Sequence, residues 1–597
     1  MSTKTKIRIG NAGGYWGDDP HALERQVNGG HLDYITMDFL AEITMSIMQK
    51  QRSRDSNLGY ARDFLPMLEK VLPKLMKNKT RIITNAGGVN PAACAEAIKQ
   101  LAATMGLNPK IAVVYGDDIL ESLDALKEKG CKFENMETGQ KFDSVQEKIS
   151  AANVYFGAAP VVKALEMEPD IVITGRVTDT GITVAAMIHE FKWDLTDWDK
   201  IASGIIAGHI LECGCQSTGG NFTDWHLVES FENIGYPIAE VNADSSFVIT
   251  KHEGSGGLVS LDTVREQLFY EMGNPKAYLT PDVVADFSSI KLTADGENRV
   301  LVSDIKGFEP TPLYKVSMAF NDGYKAIGEI AISGPDAKAK AKKFAEIFWN
   351  KAGDDFEETE TEFFGADAFH RSLGHSKEGN EVTLRLGARS QDKEKLRTFG
   401  KLIPALILSG PPGVCVLGGV PRAQDVVSYW PALMPKTAIA PKIALYDNGF
   451  TQEQVVNSTP TGDFEESKAE AQVATKASKP VYDVILSEGI ELSKICLGRS
   501  GDKGDTSNIG IMARSQASYE FLVEWLTAQR VKDLFQELCH GKVTRFELPN
   551  MQGLNFLLEN SLGGGGTMTL RVDAQGKSFA QGLLRQKAPI PTELLKK

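Results

Sequence analysis

Arg81-Ile82-Ile83-Thr84-Asn85-Ala86-Gly87-Gly88-Val89-Asn90-Pro91 opens on a short apolar run, passes through a polar glycine turn and closes on an Asn-Pro pair. Each part has a physical reason. Residues 81–84 are short, branched and apolar, which suits a strand buried on both faces. Gly87-Gly88 lets the chain turn where a Cβ would be in the way. Asn90 caps a helix, and Pro91 fits its first turn, where the missing N–H has no partner to lose. The helix so started runs over Ala92–Met105, apolar at three- and four-residue spacing. Strand, glycine turn and helix form half of a βαβ unit, the element of a parallel sheet.

The same pattern extends in both directions. Ile7–Ile9, Tyr34–Met37, Ile111–Tyr115 and Ile171–Thr174 read as buried strands, and Phe64–Met76 as an amphipathic helix. From about Gly235 the texture changes to Ile238–Val241, Ser246–Thr250, Val300–Ile305, Tyr314–Phe320 and Ala326–Ile332, with turns at Asp295-Gly296 and Asn321-Asp322-Gly323. A helix from Pro335 to Ala352, an acidic stretch Asp354–Glu362, a strand Val382–Leu386 and a helix from Lys393 to Leu408 follow. The expected fold class is therefore α/β: a large parallel or mixed sheet with helices on both faces and a more antiparallel insertion over about 235–335.

Residues Thr461–Pro480 are rich in Glu, Lys, Ala, Ser and Thr, with Phe464 the only aromatic, which is the composition of a solvated linker. This places a first domain over 1–455, a linker over 456–480 and a second domain over 481–597. In the second, Glu491–Leu497, Asn508–Ala513, Val543–Leu548 and Thr567–Asp573 read as strands and Ala517–Thr527 and Lys532–Leu538 as helices, a small α+β unit of the ferredoxin-like kind.

The bulk numbers bound the function. With 597 residues, two or more cores are expected. A formal charge of -13 argues against a nucleic-acid footprint, so an anionic ligand needs a local site. No apolar run approaches the roughly 20 residues of a membrane span and no secretory pattern follows the first residues, so a cytoplasmic protein is expected. Seven scattered cysteines point to reduced thiols.

Chemistry is expected in the polar turns. The first strand runs into Asn11-Ala12-Gly13-Gly14-Tyr15-Trp16-Gly17-Asp18, the third into Asn85-Ala86-Gly87-Gly88, and a later one into Gly175-Arg176-Val177-Thr178-Asp179. In a parallel sheet the carboxyl ends of strands share one edge, so these turns should converge on one crevice, with backbone amides and Arg176 to meet an anion or a carbonyl oxygen. The plain alternative is a set of tight structural turns, with Arg176 paired to Asp179. The helix Trp198–Leu211 ends in Gly208-His209-Ile210-Leu211-Glu212-Cys213-Gly214-Cys215-Gln216-Ser217-Thr218-Gly219-Gly220, where Glu212 is aimed for acid/base work and Gln216, Gly219 and Gly220 for binding. His209, Cys213 and Cys215 invite a zinc reading, but Cys-x-Cys is not the usual structural spacing, and no bound metal is expected. Lys251-His252-Glu253-Gly254-Ser255-Gly256-Gly257 joins a base, a carboxylate and a glycine loop, or is a solvated hairpin end. Gly498-Arg499-Ser500-Gly501-Asp502-Lys503-Gly504-Asp505-Thr506-Ser507-Asn508 reads as an ionic loop between two strands, and Gly563–Gly566 as a close-approach segment or hinge. No dinucleotide fingerprint and no Gly-Lys-Ser/Thr phosphate loop occurs.

At these residues the chain resembles the acyclic terpene utilisation proteins of the AtuA type. Asn11-Ala12-Gly13-Gly14 with Gly17-Asp18, Thr84-Asn85-Ala86-Gly87-Gly88, Gly175-Arg176-Val177-Thr178-Asp179, Gly208–Cys213 with Gln216 and Thr218-Gly219-Gly220, and Gly498–Asp505 with Asn508 carry the resemblance, which spans almost the whole chain. It implies a family domain over roughly the first 450 residues, a ferredoxin-like C-terminal domain, and a place in the bacterial breakdown of branched terpenoid acids, such as citronellic and geranic acid, as coenzyme A thioesters. The side-chain roles come from chemistry alone. The expected activity is that of a cofactor-independent hydratase, lyase or isomerase acting on a branched acyl-CoA or carboxylate, with coenzyme A entering only as part of the substrate. Its expected catalytic groups are Glu212, His252, Glu253 and Asp18. Its expected binding groups are Asn11, Gly13, Gly14, Asn85, Gly87, Gly88, Arg176, Asp179, Gln216, Gly219, Gly220, Arg499, Asp502, Lys503, Asp505 and Asn508. Two alternatives stay open: a non-catalytic binding or scaffold partner of the pathway's acyl-CoA carboxylase, and a metal-dependent hydrolase. A small tethered domain able to cap a neighbour's body also points to a homo-oligomer.

Overall fold

The computed structural model describes residues 4–374, 379–457, 460–464 and 471–595. Six early strands set the frame: β1 (Lys6–Asn11), β2 (Tyr34–Met37), β3 (Arg81–Thr84), β4 (Ile111–Tyr115), β5 (Ile149–Val154) and β6 (Ile171–Thr174). All but β5 lie side by side and parallel in the order β1-β2-β3-β6-β4. Their side chains alternate between two cores. Ile7, Ile9, Ile83 and Val172 pack with the helices Ala159–Glu166, Gly181–Phe191 and Trp198–Glu212, whereas Ile35, Met37, Ile82 and Ile173 pack with Ala22–Gly29, Phe64–Asn78 and Pro91–Thr104. A sheet buried on both faces needs such uniformly apolar strands. The Pro91–Thr104 helix starts as its sequence dictates, with Asn90 Oδ1 accepting from Ala93 N at 3.4 Å.

Part of the antiparallel insertion joins the main sheet. Ile238–Asn242, Phe247–Thr250, Val300–Ser303 and Lys291–Ala294 extend the main sheet from β1, and Lys442–Tyr446 with Phe450–Val455 extend it from β4, giving eleven strands. Tyr314–Phe320 and Ala326–Ile332, expected as two strands around a turn, are one strand, Leu313–Ser333, with an irregularity between Asn321 and Tyr324. Asp322 is held there by Arg389 Nη2 at 2.9 Å and Ser428 Oγ at 2.8 Å, so the turn-like residues form a bulge instead of a hairpin. This strand, Glu358–Phe364, Glu381–Ser390, Val414–Leu417, Gln424–Pro435 and β5 form a second sheet.

The C-terminal domain is a five-stranded antiparallel sheet in the order Gln472–Ala474, Val543–Leu548, Gly553–Leu558, Thr506–Ala513, Cys496–Lys503, backed by Gln516–Trp525, Ala528–Leu534 and Phe579–Leu584. Three details differ from the sequence reading. Part of the expected linker, Gln472–Ala474, is an edge strand, while residues 458–459 and 465–470 of it lie outside the described residues. Thr567–Asp573 is not a strand. The ionic stretch 498–508 is not a loop but two paired strands joined at Gly504-Asp505, where Gly504 has a φ of +62°. No helix among the described residues is long and apolar enough to cross a membrane.

One buried acid makes the body's stability depend on pH. Asp282 accepts from Ala158 N through both oxygens, at 2.8 and 3.0 Å, at the start of the Ala159–Glu166 helix. Burial outweighs those bonds and pushes its carboxyl up to about 6. Asp117 is pushed up to about 6 for the same reason. A native pKa above the unfolded value means that folding takes up a proton, so stability is lost as pH rises from about 4 through 6. Two pKa units correspond to at most about 3 kcal/mol per group. Urea titrations at the two ends of this window should show Asp282→Asn losing up to about 3 kcal/mol less stability between them than the parent; an unchanged loss would exclude Asp282 as a source.

Candidate active site

The parallel strands bring their carboxyl ends to one edge, and the first polar residues beyond them meet there. Asp38, directly after β2, is buried and accepts from Asn85 Nδ2 at 2.7 Å and Leu40 N at 2.9 Å. Asn85, directly after β3, also accepts from Phe39 N at 2.7 Å, so it fixes the turn that carries Asp38. Asp117, beyond β4, accepts from Arg176 N and Asn153 Nδ2. Arg176, beyond β6, is 3% exposed, lies over the Tyr155 ring at 4.0 Å and donates to Asp179 Oδ1 at 2.5 Å. The Asp179 side chain is 37% exposed, which makes it the accessible carboxylate of the group. Gly87 is required because a Cβ would meet the Thr174 carbonyl oxygen at 2.5 Å, and Gly88 sits at a φ of +53° against Met48.

The Trp198–Glu212 helix delivers the second half. His209 is 1% exposed, and its Nε2 lies 3.1 Å from the Gln267 carbonyl oxygen. A carbonyl only accepts, so Nε2 carries a hydrogen and donates. Burial pushes the imidazole down to about 4, so near neutral pH Nδ1 is a bare lone pair. Glu212 Oε1 stands 3.1 Å from that Nδ1. The contact lacks hydrogen-bond geometry, and Nδ1 is buried without a hydrogen-bond partner. Burial first, then the negative charges of Asp179 and Glu271, raise the Glu212 carboxyl well above the usual range. Burial and Asp179 do the same to Asp38. Glu212 Oε2 is itself buried without a hydrogen-bond partner.

The C-terminal domain closes the group. Lys503, at the end of its strand, lies 5.4 Å from the Tyr278 ring centroid and opposes the raised pKa of Glu212. Tyr278 packs edge-on to His209 at 5.5 Å. Asn508 accepts from Glu271 N at 2.9 Å and donates to the Phe269 carbonyl at 2.8 Å, so the second domain positions an acid of the first. Lys577 Nζ is 3.7 Å from Asp502 and 3.8 Å from Glu271.

The remaining expected residues hold this arrangement together or stand apart from it. Arg499 joins the domains, donating to Glu266 at 3.0 Å, to Gln216 Oε1 at 2.7 Å and to the Gly220 carbonyl at 3.2 Å, while Gly219 turns the chain at a φ of +104°. Asp505 accepts from Leu562 N and Gly564 N and fixes the four-glycine segment. Asn11 accepts from Gly13 N and donates to its carbonyl. Asp18 is consumed by Gly14 N, Asp19 N and the Tyr236 hydroxyl. His252 stands apart: Nε2 donates to the Gln26 carbonyl at 3.0 Å, the ring packs on Gly29, and its pKa is lowered by burial without any of the clustered acids acting on it. Glu253 is exposed beside it. Cys213 and Cys215 face different neighbours, Gln267 and Glu212 for the first, Tyr236 and Thr218 for the second. Among the described residues no group of three His, Cys, Asp or Glu side chains is arranged to hold a metal ion.

Sequence reasoning missed Asp38, Asp117, Glu271 and Tyr278. The first two carry the signal that identified Asn85 and Arg176, since each is among the first polar residues after a parallel strand. Gly14 ties the two halves together: a Cβ there would meet the Glu212 carbonyl at 2.8 Å and Gly214 N at 2.7 Å. Gly14→Ala should therefore fold but move Glu212, and turnover should fall at least tenfold, because displacements near 1 Å at a reacting group cost up to about 10²-fold. Steady-state kinetics, with circular dichroism to show the fold retained and a lowered thermal midpoint from the backbone clash, would check this.

Two family models match the chain: "Acyclic terpene utilisation family protein AtuA" over residues 7–445 and "AtuA ferredoxin-like domain" over residues 490–589. A comparison with curated proteins returned no match.

Proposed function

The chain belongs to the acyclic terpene utilisation family of the AtuA type, and from that premise we propose that it is a cofactor-independent acid/base enzyme acting beside the carbonyl of a branched acyl thioester or carboxylate. The observation that carries this reading is the Glu212 carboxyl, raised well above its usual range by burial and by the charge of Asp179, an accessible carboxylate paired with Arg176. A buried carboxyl raised above its usual range beside an accessible, arginine-paired carboxylate is equipment for moving a proton from one atom of a substrate to another. Asp179 takes a proton from the carbon next to the carbonyl. Glu212 delivers its own to the carbonyl oxygen, giving a dienol; Asp179 then returns its proton to the γ carbon while Glu212 takes back the hydroxyl proton, so the double bond has moved and both acids are restored. Lys503 supplies positive charge where the oxygen turns negative, at a site closed by the second domain.

Solvent exchange tests this directly. Incubated in heavy water with branched acyl-CoA thioesters or the free acids, the enzyme should place deuterium on the carbon beside the carbonyl, read by mass spectrometry. Absence of exchange and of turnover across that panel would end the proposal and favour a binding role.

A further inference from the structure

A cavity of about 380 Å³ lies against the acid cluster, on the other side of one strand end, and the chemistry above leaves it unused. Met37 and Phe39 line it. Asp38, between them, turns toward Asn85. The two-residue alternation of an extended chain thus gives one side of the β2 end to an acid and the other to an apolar guest. Pro66 and Met67 of the Phe64–Asn78 helix add further wall, with Gly13 and Tyr15 completing it. Tyr15 is 59% exposed, which marks the mouth.

The chemistry of the lining selects the guest. Among the described residues no lysine or arginine lines the cavity, so an anionic group finds no cation in its walls. Its two carboxylates are engaged, Asp18 by Gly14 N and Tyr236 and Asp63 by Trp16 Nε1 at 3.0 Å. The volume stands near the lower end of the roughly 300–1,000 Å³ of small-molecule sites, enough for a compact hydrocarbon chain and too little for a nucleotide as well. The turn that lines the cavity at Gly13 packs at Gly14 against the Glu212 backbone, so the cavity opens at the same strand-end edge that carries the acids.

We propose that this cavity holds the apolar tail of the substrate whose carbonyl end meets Glu212, and that Met67 sets the length of tail accepted. The proposal rests on the acid/base reading above. Met67 is 7% exposed and unbranched, a side chain whose size decides where the cavity ends.

Calorimetric titration of the Glu212→Gln protein, which binds without turning over, with coenzyme A thioesters of saturated acids of increasing length tests it. Affinity should rise about fourfold per added methylene until the cavity is full. Met67→Trp should end that rise at a shorter tail and Met67→Ala at a longer one, both with short-tail affinity kept. Phe39→Leu, on the strand wall, replaces either variant that does not fold and should also lengthen the accepted tail. Identical length profiles in the parent and the variants, or no dependence on tail length, would overturn the proposal. The two readings fail separately. A length profile that follows residue 67, with deuterium exchange intact in Glu212→Gln, keeps the cavity and removes the acid. Lost exchange with an unmoved profile does the reverse.

Discussion

Glu212→Gln is expected to lower turnover by about 10²–10⁴-fold, the span of a lost general acid, and to leave the melting temperature within a few degrees of the parent. The amide is the same size as the acid and brings no charge into the buried site, so the packing beside His209 survives. What it loses is a transferable proton. Glu212→Asp is the informative companion: it keeps the proton and retracts it by one methylene, so a fall in kcat with little change in KM should accompany it. The parent should also lose activity on the alkaline side, because Glu212, raised by burial and its acidic neighbours, must stay protonated to act. In Glu212→Gln that alkaline limb should vanish from any residual rate. Full activity in the Gln variant, or a limb that persists in it, would assign the proton to another group.

The second large effect is on stability. Arg499→Met should destabilise the protein by about 3–5 kcal/mol, the range for breaking a buried pair on one side. Glu266 is 0% exposed and would be left with Thr223 and no cation, while Gln216 Oε1 and the Gly220 carbonyl lose their donor. Adding Glu266→Gln removes the stranded charge and should recover part of the loss. Denaturant unfolding of the single and double variants measures the difference. If the double variant is no more stable than the single one, the cost lies in the lost packing of the arginine stem. Docking of the second domain should loosen in the single variant, seen as faster amide exchange at Asn508 and Ser500.

The parallel body was legible because its strands are buried on both faces, which leaves sequence little choice but uninterrupted Ile, Val and Thr. Residues 321–323 misled because Asn-Asp-Gly is hairpin composition, and the partners that straighten it, Arg389 and Ser428, are 67 and 106 positions from Asp322. Residues 498–508 misled for a related reason: a strand whose side chains answer the polar groups of another domain has no apolar alternation to read. In the site, Asn85, Arg176 and Asp179 followed from the rule that parallel strands share a carboxyl edge, and Glu212 from a helix end that opens into a glycine loop. Asp38 obeyed that rule and was passed over for want of a glycine beside it. Glu271 and Tyr278 arrive through packing of the segment after the Leu261–Leu268 helix, for which local sequence holds no signal. His252 shows the converse, a promising local composition spent on closing the end of a helix at Gly29.

Asn508 holds the backbone of Glu271, and Lys503 answers Glu212, each across the boundary between domains. The two units are thus one inherited machine: a gene fusion or shuffling event that swapped either half alone would deliver a well-formed domain to a partner with mismatched charges. Lineages of such proteins should gain new specificities by change within the body while the joint itself moves only in matched steps.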